Sequence, residues 1–477
     1  MVSRPSISLI EAKVMRKVAW RLMPLFGLGY LINVLERFNI SFAALTMNKA
    51  LDLSATAYGL GAGAFFWSYV LFQVPANIAL TRFGARRWIT IIMVAWSLCS
   101  AGAALITGGT TFVIARFLLG MAEAGFLPGA AFFLTRWFPA RHRGRAMGVL
   151  YATGATAGII GGPIAGQLLR LNGWLGFAGW QWIFLAEGLP ALLLAVLVPL
   201  LLRDCPSEAA WLGADERAWL EETLRTEQAA AQGRHLPVMR AILSPPVILL
   251  MLIHFGLGCG VYGKAYFLPL MIKSLGYTNE AVGYITTIPA IVGVIGMLIF
   301  SSRSDRTGER VWHLAVPCFL GAIGLLLAGV LIGISPWLCI AAFALSSFGI
   351  SGALPVFWNL PTAFLGVSAA ASGLAAINAI GNISGYAAPQ TVGILRDATG
   401  GYEIPMLIIG SVVLLAGMAV PLAARAAGAR RAVRPRSGPT SSACSSRPGV
   451  SRWSSSRSAA SARAFRSGPR CRTSARS

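Results

Sequence analysis

The chain has 477 residues, of which 56% are hydrophobic and only 12% are charged. Soluble domains carry roughly 25% charged residues, so this composition excludes a soluble globular protein and indicates an integral membrane protein. The net charge of +23 does not predict nucleic-acid binding, because thirteen arginines lie in residues 425–477, where no acidic residue occurs. We expect a disordered Arg/Ser-rich tail at 426–477 and no nucleic-acid partner. We favour the interpretation that this tail is a dispensable extension. The alternative is that it contacts anionic lipid.

Twelve apolar runs approach the roughly 20 residues that a helix needs to cross a bilayer. They lie near residues 20–45, 57–80, 88–107, 110–134, 146–169, 179–202, 246–272, 281–301, 312–333, 337–361, 371–392 and 402–424. The sequence therefore predicts an all-α integral membrane protein with twelve transmembrane helices in a lipid bilayer.

The basic residues of the short loops predict the orientation of these helices. The loops after predicted helices 2, 4 and 8 hold ten arginines, whereas those after helices 1, 3, 5, 7, 9 and 11 hold four basic residues. Because positive loops stay in the cytoplasm, we expect both termini there and a multi-pass protein of the inner (cytoplasmic) membrane. The basic segment before the first run agrees, and no cleavable-signal pattern precedes that run.

Two predicted helices carry an acid and an arginine inside an apolar run. Glu36 and Arg37 lie in helix 1, and Arg116 and Glu123 lie in helix 4. A charge in hydrocarbon costs several kcal/mol, so such residues tend to face a bundle interior or a water-filled cavity. Seven residues are close to two helical turns, which places Arg116 and Glu123 on one face. The pattern predicts a pathway for a solute or a proton, and a permanent Glu–Arg lock between helices is the alternative.

The longest interruption between apolar runs, at 203–245, is rich in acids and amphipathic. It predicts a cytoplasmic linker between two six-helix halves, 1–202 and 246–425. The pattern R-x-G-x-R supports a duplication, because it follows both helix 2, at Arg82–Arg86, and helix 8, at Arg306–Arg310. A parallel repeat of this kind is typical of transporters whose two halves rock against each other.

The sequence contains no strong motif of an enzyme or of a metal site. The four histidines are scattered and the seven cysteines form no CxxC pair, so we predict no metal site. The stretch 258–263 satisfies GxGxxG, but it lies inside helix 7 with no strand before it. We expect no enzyme activity and no cofactor, with a proton gradient as the energy source.

Six stretches together resemble the major facilitator superfamily, specifically its anion:cation symporter branch, over roughly residues 15–425. They are residues 30–43, 65–75 with 82–87, 116–129, 179–182, 187–190 and 304–310. The resemblance implies a two-half bundle and transport of small organic acids, since bacterial members take up sugar acids, tartrate and aromatic carboxylates with protons.

The same resemblance implies roles for the buried charges. Glu36 and Glu123 would carry protons, Arg37 would bind the substrate carboxylate, and Arg116 would engage Glu123. The chemistry agrees, because a guanidinium offers a fixed fork of donors to a carboxylate. A nearby arginine also opposes protonation of a buried carboxylate, so its movement would switch proton binding. A structural partner is the alternative for Glu36.

Further residues are candidates for the substrate site. Tyr69 and Asn378 match site-lining positions of the family, and Trp358 and Tyr262 supply aromatic surface. Packing explains such aromatic residues as well, and interhelical hydrogen bonding explains the asparagine. Lys264 departs from the family because an uncharged residue would be usual in helix 7. Its side chain would either hold a second carboxylate of a dianion or extend towards the membrane surface.

Two departures concern helix 1. The acid at position 36 is Glu where the family usually has Asp, and Val34 replaces a frequent Tyr.

We predict a proton-coupled secondary transporter that imports a small organic carboxylate by alternating access. A uniporter or efflux pump of the same fold is the alternative within transport, and a membrane receptor or scaffold is the alternative from another class.

Overall fold

The computed structural model describes residues 9–231 and 243–433, without the side chains of 228–231, 362–372, 375 and 427–433. Sixteen α-helices make up this part of the chain. They are α1 Leu9–Phe38, α2 Ile40–Ala50, α3 Ala55–Phe83, α4 Ala85–Gly102, α5 Gly109–Glu123, α6 Phe126–Thr135, α7 Ala140–Leu168, α8 Gly179–Leu201, α9 Ala214–Ala231, α10 Pro245–Ser274, α11 Asn279–Ile285, α12 Thr287–Thr307, α13 Val311–Leu331, α14 Pro336–Phe357, α15 Asn359–Thr399 and α16 Glu403–Val433.

Eleven helical segments of the described residues are long and apolar enough to cross a membrane. The predicted all-α membrane fold is confirmed. Predicted helices 1, 4 and 8 each consist of two consecutive helices, namely α1–α2, α5–α6 and α11–α12. The predicted span 371–392 lies within α15, part of whose side chains fall outside the described residues. The count of twelve spans and the orientation of the termini stay predictions.

The two R-x-G-x-R segments both turn at a glycine with a positive φ, although the ψ angles of the two glycines differ. Gly84 ends α3 with φ +82° and Gly308 ends α12 with φ +70°. Glycine is favoured at such positions because a Cβ atom is strained there. The following helices are capped by acids, since Asp204 accepts from the Arg86 amide at 2.9 Å and Glu309 accepts from the Trp312 amide at 2.9 Å.

Contacts between residues of the two halves concentrate towards one end of the bundle. Asp397 of α15 accepts hydrogen bonds from the amides of Ala55 and Thr56 at the start of α3, at 3.1 and 2.7 Å. Tyr58 donates to the Tyr266 carbonyl at 2.8 Å. These groups lie near the loop 51–54 and the ends of α10 and α15. In the predicted orientation this is the outer end, so the arrangement would open towards the cytoplasm.

The linker helix α9 is held against the first half at the other end. Glu216 forms ion pairs with Lys13 at 3.1 Å and Lys17 at 2.7 Å, both on α1. Trp211 stacks on Trp137 with ring centroids 5.6 Å apart. The hydrogen bond from Lys17, together with the Gly213 amide, lowers the pKa of Glu216 to about 2. The start of the linker thus moves with the first half.

Candidate functional site

Arg37 and Glu123 both lie where a membrane-spanning segment is interrupted. Helix α1 ends at Phe38, one residue after Arg37, and α5 ends at Glu123 itself. The last carbonyls of a helix lack intrahelical partners and accept bonds from side chains instead. Transporters commonly place binding sites at such discontinuous helices. Both segments look continuous in the sequence, so the interruptions were not predicted.

The guanidinium of Arg37 pairs with the carboxylate of Glu123. Its Nη2 atom lies 3.1 Å from Glu123 Oε2 and also donates to Asn33 Oδ1 at 3.2 Å. The Glu123 side chain is 0% exposed and that of Arg37 is 14% exposed. Breaking a buried pair by removing one partner typically costs 3–5 kcal/mol, because the other charge is left uncompensated. This pair therefore dominates the electrostatics of the site.

Arg116 does not pair with Glu123, as the resemblance had implied it would. Its Nη2 atom donates instead to the Arg37 backbone carbonyl at 3.2 Å, and Tyr266 donates to the same oxygen at 3.3 Å. Arg116 and Glu123 are separated by about 10 Å along α5. Arg37 reaches Glu123 from α1. It therefore takes the place at Glu123 that was expected for Arg116.

Aromatic rings line the two arginines. The Arg37 guanidinium lies 5.1 Å from the ring centres of both Phe65 and Tyr69, and Arg116 lies 4.9 Å from Phe65. Cations over aromatic faces gain roughly 0.5–2 kcal/mol, most where water is excluded. The predicted residue Tyr69 is thus brought to Arg37. Phe65 was missed, although its place one turn before Tyr69 could have indicated it.

The network retains unused hydrogen-bonding capacity. Glu123 Oε1, Arg37 Nε and the Nε and Nη1 atoms of Arg116 are buried and have no hydrogen-bond partner among the described residues. Leaving a buried polar group unsatisfied costs about 1–3 kcal/mol, and more for charged groups. A ligand carboxylate would satisfy the donors, and a proton would remove the remaining charge on Glu123.

A layer of aromatic residues lies beside this site at the boundary between the halves. Phe38 stacks on Tyr262 with ring centroids 6.4 Å apart and on Tyr266 at 5.3 Å. Tyr262 also meets Phe66 edge-on at 4.5 Å. The predicted residue Tyr262 is therefore placed next to the site, from the second half. Tyr266, which donates to the Arg37 carbonyl, was missed.

Other predicted residues lie elsewhere. Glu36 is 0% exposed and turns towards Ser100 and Trp96 inside the first half, and neither carboxylate oxygen has a hydrogen-bond partner among the described residues. Trp358 packs on His254 at 5.0 Å, within a cluster of the second half. Asn378 is half-buried on α15. None of the three forms a described hydrogen bond with Arg37, and their proposed roles stay predictions.

Lys264 points away from Arg37. It is 8% exposed, and its Nζ atom donates to Ser347 Oγ at 2.7 Å. The amine is therefore inside the bundle and does not extend towards the membrane surface. It lines a cavity that Arg37 does not line, together with Glu187, which sequence reasoning had quoted only as part of a family stretch.

Two helical halves that meet around buried charges, with half-helices at the charged residues, define a membrane transporter. Comparison with known families agrees. The sequence profile described as Major Facilitator Superfamily matches residues 26–389. The chain belongs to the major facilitator superfamily, and its resemblance to that superfamily is confirmed.

Individual relatives cover most of the chain. It is 41% identical over 416 residues to a protein of Agrobacterium vitis named "Putative tartrate transporter", covering 87% of this chain and 92% of that one. It is 40% identical over 410 residues to the "Quinolone resistance transporter" of Acinetobacter baumannii, covering 86% and 94%. The crystal structure of a bacterial Spinster homologue, inward-facing and unoccupied, shares the fold with TM-score 0.70 at 17% identity, covering 89% and 98%.

Proposed function

We propose that this protein is a proton-coupled symporter that imports a small organic carboxylate across the cytoplasmic membrane. One observation carries the proposal. The anion-binding arginine, Arg37, is neutralised by an acid of its own half, Glu123, which has one oxygen without a hydrogen-bond partner. A substrate carboxylate and a proton can together replace that internal pair.

The substrate competes with Glu123 for Arg37. The guanidinium has a free Nε atom beside the Nη2 atom that now serves Glu123 and Asn33. A carboxylate bound through two parallel N–H donors is held more strongly than through one. The ring of Tyr69 holds the guanidinium plane in place, so the fork keeps its orientation when its partner changes.

Proton uptake follows from the loss of the pair. Once Arg37 turns to the substrate, Glu123 stays buried without a counter-charge, and the charged form of an isolated buried carboxylate is very costly. The proton therefore binds where the substrate binds. Linkage is reciprocal, so proton binding strengthens substrate binding by the same factor. This coupling is the thermodynamic requirement for symport.

Alternating access requires that both ligands change sides together. Arg37, Asn33 and Glu123 all belong to the first half, so the exchange of partners does not depend on how the halves are arranged. The contacts of Asp397 and Tyr58 join the two halves at one end and must break for that end to open. The site thus sits behind contacts that can act as a gate.

The substrate class is a carboxylate with a short polar or aromatic body. The names of two Agrobacterium relatives mention tartrate, a hydroxylated dicarboxylate. The aromatic lining by Phe65, Tyr69 and Tyr262 also suits an aromatic acid. That Lys264 would hold the second carboxylate of a dianion stays a prediction, as do contacts by Trp358 and Asn378.

The test is uptake into proteoliposomes with an imposed pH gradient. A panel of tartrate, malate, benzoate and phthalate should include an acid that accumulates when the outside is acidic, and a protonophore should abolish the accumulation. Uptake that ignores the gradient would indicate a uniporter, and accumulation from the opposite side would indicate an efflux pump. Binding without flux under any gradient would leave the receptor alternative.

Glu123→Gln tests the proton assignment within the same assay. The amide cannot carry the proton, so counterflow of labelled substrate should persist while accumulation driven by pH is lost. For one proton, a gradient of one pH unit is worth about 1.4 kcal/mol, or about tenfold accumulation, and this factor should fall to one. Glu221→Gln, an exposed residue of α9, is the matched control. Normal accumulation by Glu123→Gln would refute the assignment.

A further inference from the structure

A cavity of about 420 Å³ lies between the two halves. It is on the other side of predicted helix 1 (α1–α2) from the Arg37–Glu123 pair. Asn39 lines it, and Asn39 follows Arg37 by two residues, or about 200° around the helix. Lys264 lines it likewise, two residues after Tyr262. The aromatic layer of Phe38, Tyr262 and Tyr266 lies along this boundary. The cavity is therefore distinct from the Arg37 site.

One wall of the cavity carries an amine without a counter-ion. Lys264 belongs to α10 in the second half and is 8% exposed. Its hydrogen bond to the Ser347 hydroxyl is a contact to a neutral group, and no described carboxylate lies within 4.0 Å of it. A buried ammonium without an anionic partner is costly, because its hydration is lost and not replaced. This wall favours a ligand with an anionic group.

The wall that the first half contributes carries an acid and an amide with unpaired polar atoms. Glu187 of α8 is 7% exposed and its Oε2 atom has no hydrogen-bond partner among the described residues. Asn39 is 2% exposed and its amide lies beside the Glu187 carboxyl, but neither its Oδ1 nor its Nδ2 atom meets hydrogen-bond geometry with a described residue. The other titratable groups near Glu187 are Glu36, inside the first half, and Lys264, which lines the same cavity from the second half. This wall favours a ligand with a cationic donor.

The remaining lining is mostly apolar, and the cavity is large enough for a small ligand. Leu35, Phe42, Leu268 and Ile350 contribute to it. Ligand sites typically have volumes of roughly 300–1,000 Å³ and mostly apolar walls with a few placed polar groups. We propose that this cavity is a second binding site, which takes an amphipathic zwitterion. The ligand carboxylate lies at Lys264, its protonated amine lies at Glu187 and Asn39, and its apolar frame fills the space between them.

Three probes of the same shape test the charge requirement. They are 4-(aminomethyl)benzoate, which is a zwitterion, 4-methylbenzoate, which is an anion, and 4-methylbenzylamine, which is a cation. Thermal stability of the purified full-length protein in detergent is measured against the concentration of each probe. The zwitterion should bind at least about tenfold more tightly than either singly charged probe, because only the zwitterion forms charged hydrogen bonds with both Lys264 and Glu187. Equal shifts by all three probes, or none, would overturn the proposal.

Variants assign the two walls. Lys264→Met and Glu187→Gln should each weaken zwitterion binding about tenfold or more, whereas Met418→Leu, at an exposed position of α16 outside the cavity, should not. The double variant Glu187→Lys with Lys264→Glu should recover the zwitterion preference with the ligand reversed, which guards against simple misfolding of the single variants. Unchanged binding by Lys264→Met would refute the site.

The site is independent of the proposed symport. Arg37→Gln should lose carboxylate uptake but keep zwitterion binding, so the two proposals fail separately. If Lys264→Met instead lost dicarboxylate uptake selectively while zwitterion binding was unchanged, Lys264 would belong to the Arg37 site. If wild-type protein bound no zwitterion and the double swap only restored transport lost in the single variants, the two groups would be a charge pair between the halves.

Discussion

The Arg37–Glu123 pair and the contacts of Asp397 and Tyr58 differ in what they join. The first lies wholly within one half, with both side chains nearly or fully buried. The second group joins the two halves at one end through backbone amides and carbonyls. A contact within a half can survive when the halves rock, and in the proposed mechanism a ligand and a proton replace it. A contact between halves is broken by the motion itself. The proposed mechanism thus places ligand exchange and opening at different contacts.

The largest expected effect is at Arg37, which tests the chemical side of this comparison. Arg37→Lys keeps the charge but loses the planar fork and the stacking on Phe65 and Tyr69. We expect the kcat/KM of carboxylate uptake to fall about 100-fold, the upper end for loss of a charged hydrogen bond. Initial uptake rates in proteoliposomes measure it, with Arg225→Lys on α9 as control. A loss under threefold would show that the fork does not hold the substrate.

Phe65→Leu should have the next largest effect, because one ring lies against both Arg37 and Arg116. Loss of a desolvated cation–π contact costs about 1–2 kcal/mol, so we expect KM to rise about tenfold with little change in kcat. Phe72→Leu, which contacts neither arginine among the described residues, is the control. An equal effect of both variants would assign the ring to general packing.

Tyr58→Phe tests the contacts that join the two halves at one end. It removes the hydrogen bond to the Tyr266 carbonyl and leaves the site of Arg37 intact. Loss of about 1 kcal/mol should favour opening of this end about fivefold. Alkylation of a cysteine introduced at Ala388, which is 1% exposed, should speed up accordingly above the native cysteine background. Tyr277→Phe is the control, and unchanged alkylation would show that this contact does not restrain the gate.

The smallest effect is expected at the linker, outside the membrane. The hydrogen bond from Lys17 lowers the pKa of Glu216 to about 2, below its ordinary value of 4.5. The pair therefore stabilises the protein above pH 4.5 and loses this contribution as pH falls towards 2. Because both lysines are partly exposed, we expect Glu216→Gln to cost about 1 kcal/mol at pH 7.

Thermal unfolding of Glu216→Gln and wild type between pH 2 and pH 7 checks this sign. The two melting temperatures should differ at pH 7 and converge towards pH 2, whereas Glu221→Gln should match wild type throughout. Transport should change little in either variant, since the bonds of Glu216 join α9 to α1 and to Gly213 and do not reach the Arg37 site. A constant difference across the pH range would show that the carboxylate charge is not what stabilises the linker.

The sequence by itself determined the all-α membrane fold, because apolar runs of bilayer length allow almost no other structure for the backbone. It also indicated the two glycine turns, since a positive φ is a local demand, and the family resemblance singled out Arg37 and Tyr69 for the substrate and Glu123 for a proton. Charge in an apolar run is informative for the same reason that it is costly. These conclusions depend on local composition and spacing.

Only the tertiary structure decided which charged groups meet. The family resemblance implied Arg116 as the partner of Glu123, but Arg37 from α1 pairs with Glu123, and Arg116 binds a carbonyl freed where α1 ends. Lys264 and Glu187 lie 77 residues apart in the sequence, yet they line one cavity. Partners from different helices depend on how the helices pack and rotate, and hydrophobic periodicity leaves that rotation open when a helix is apolar all round.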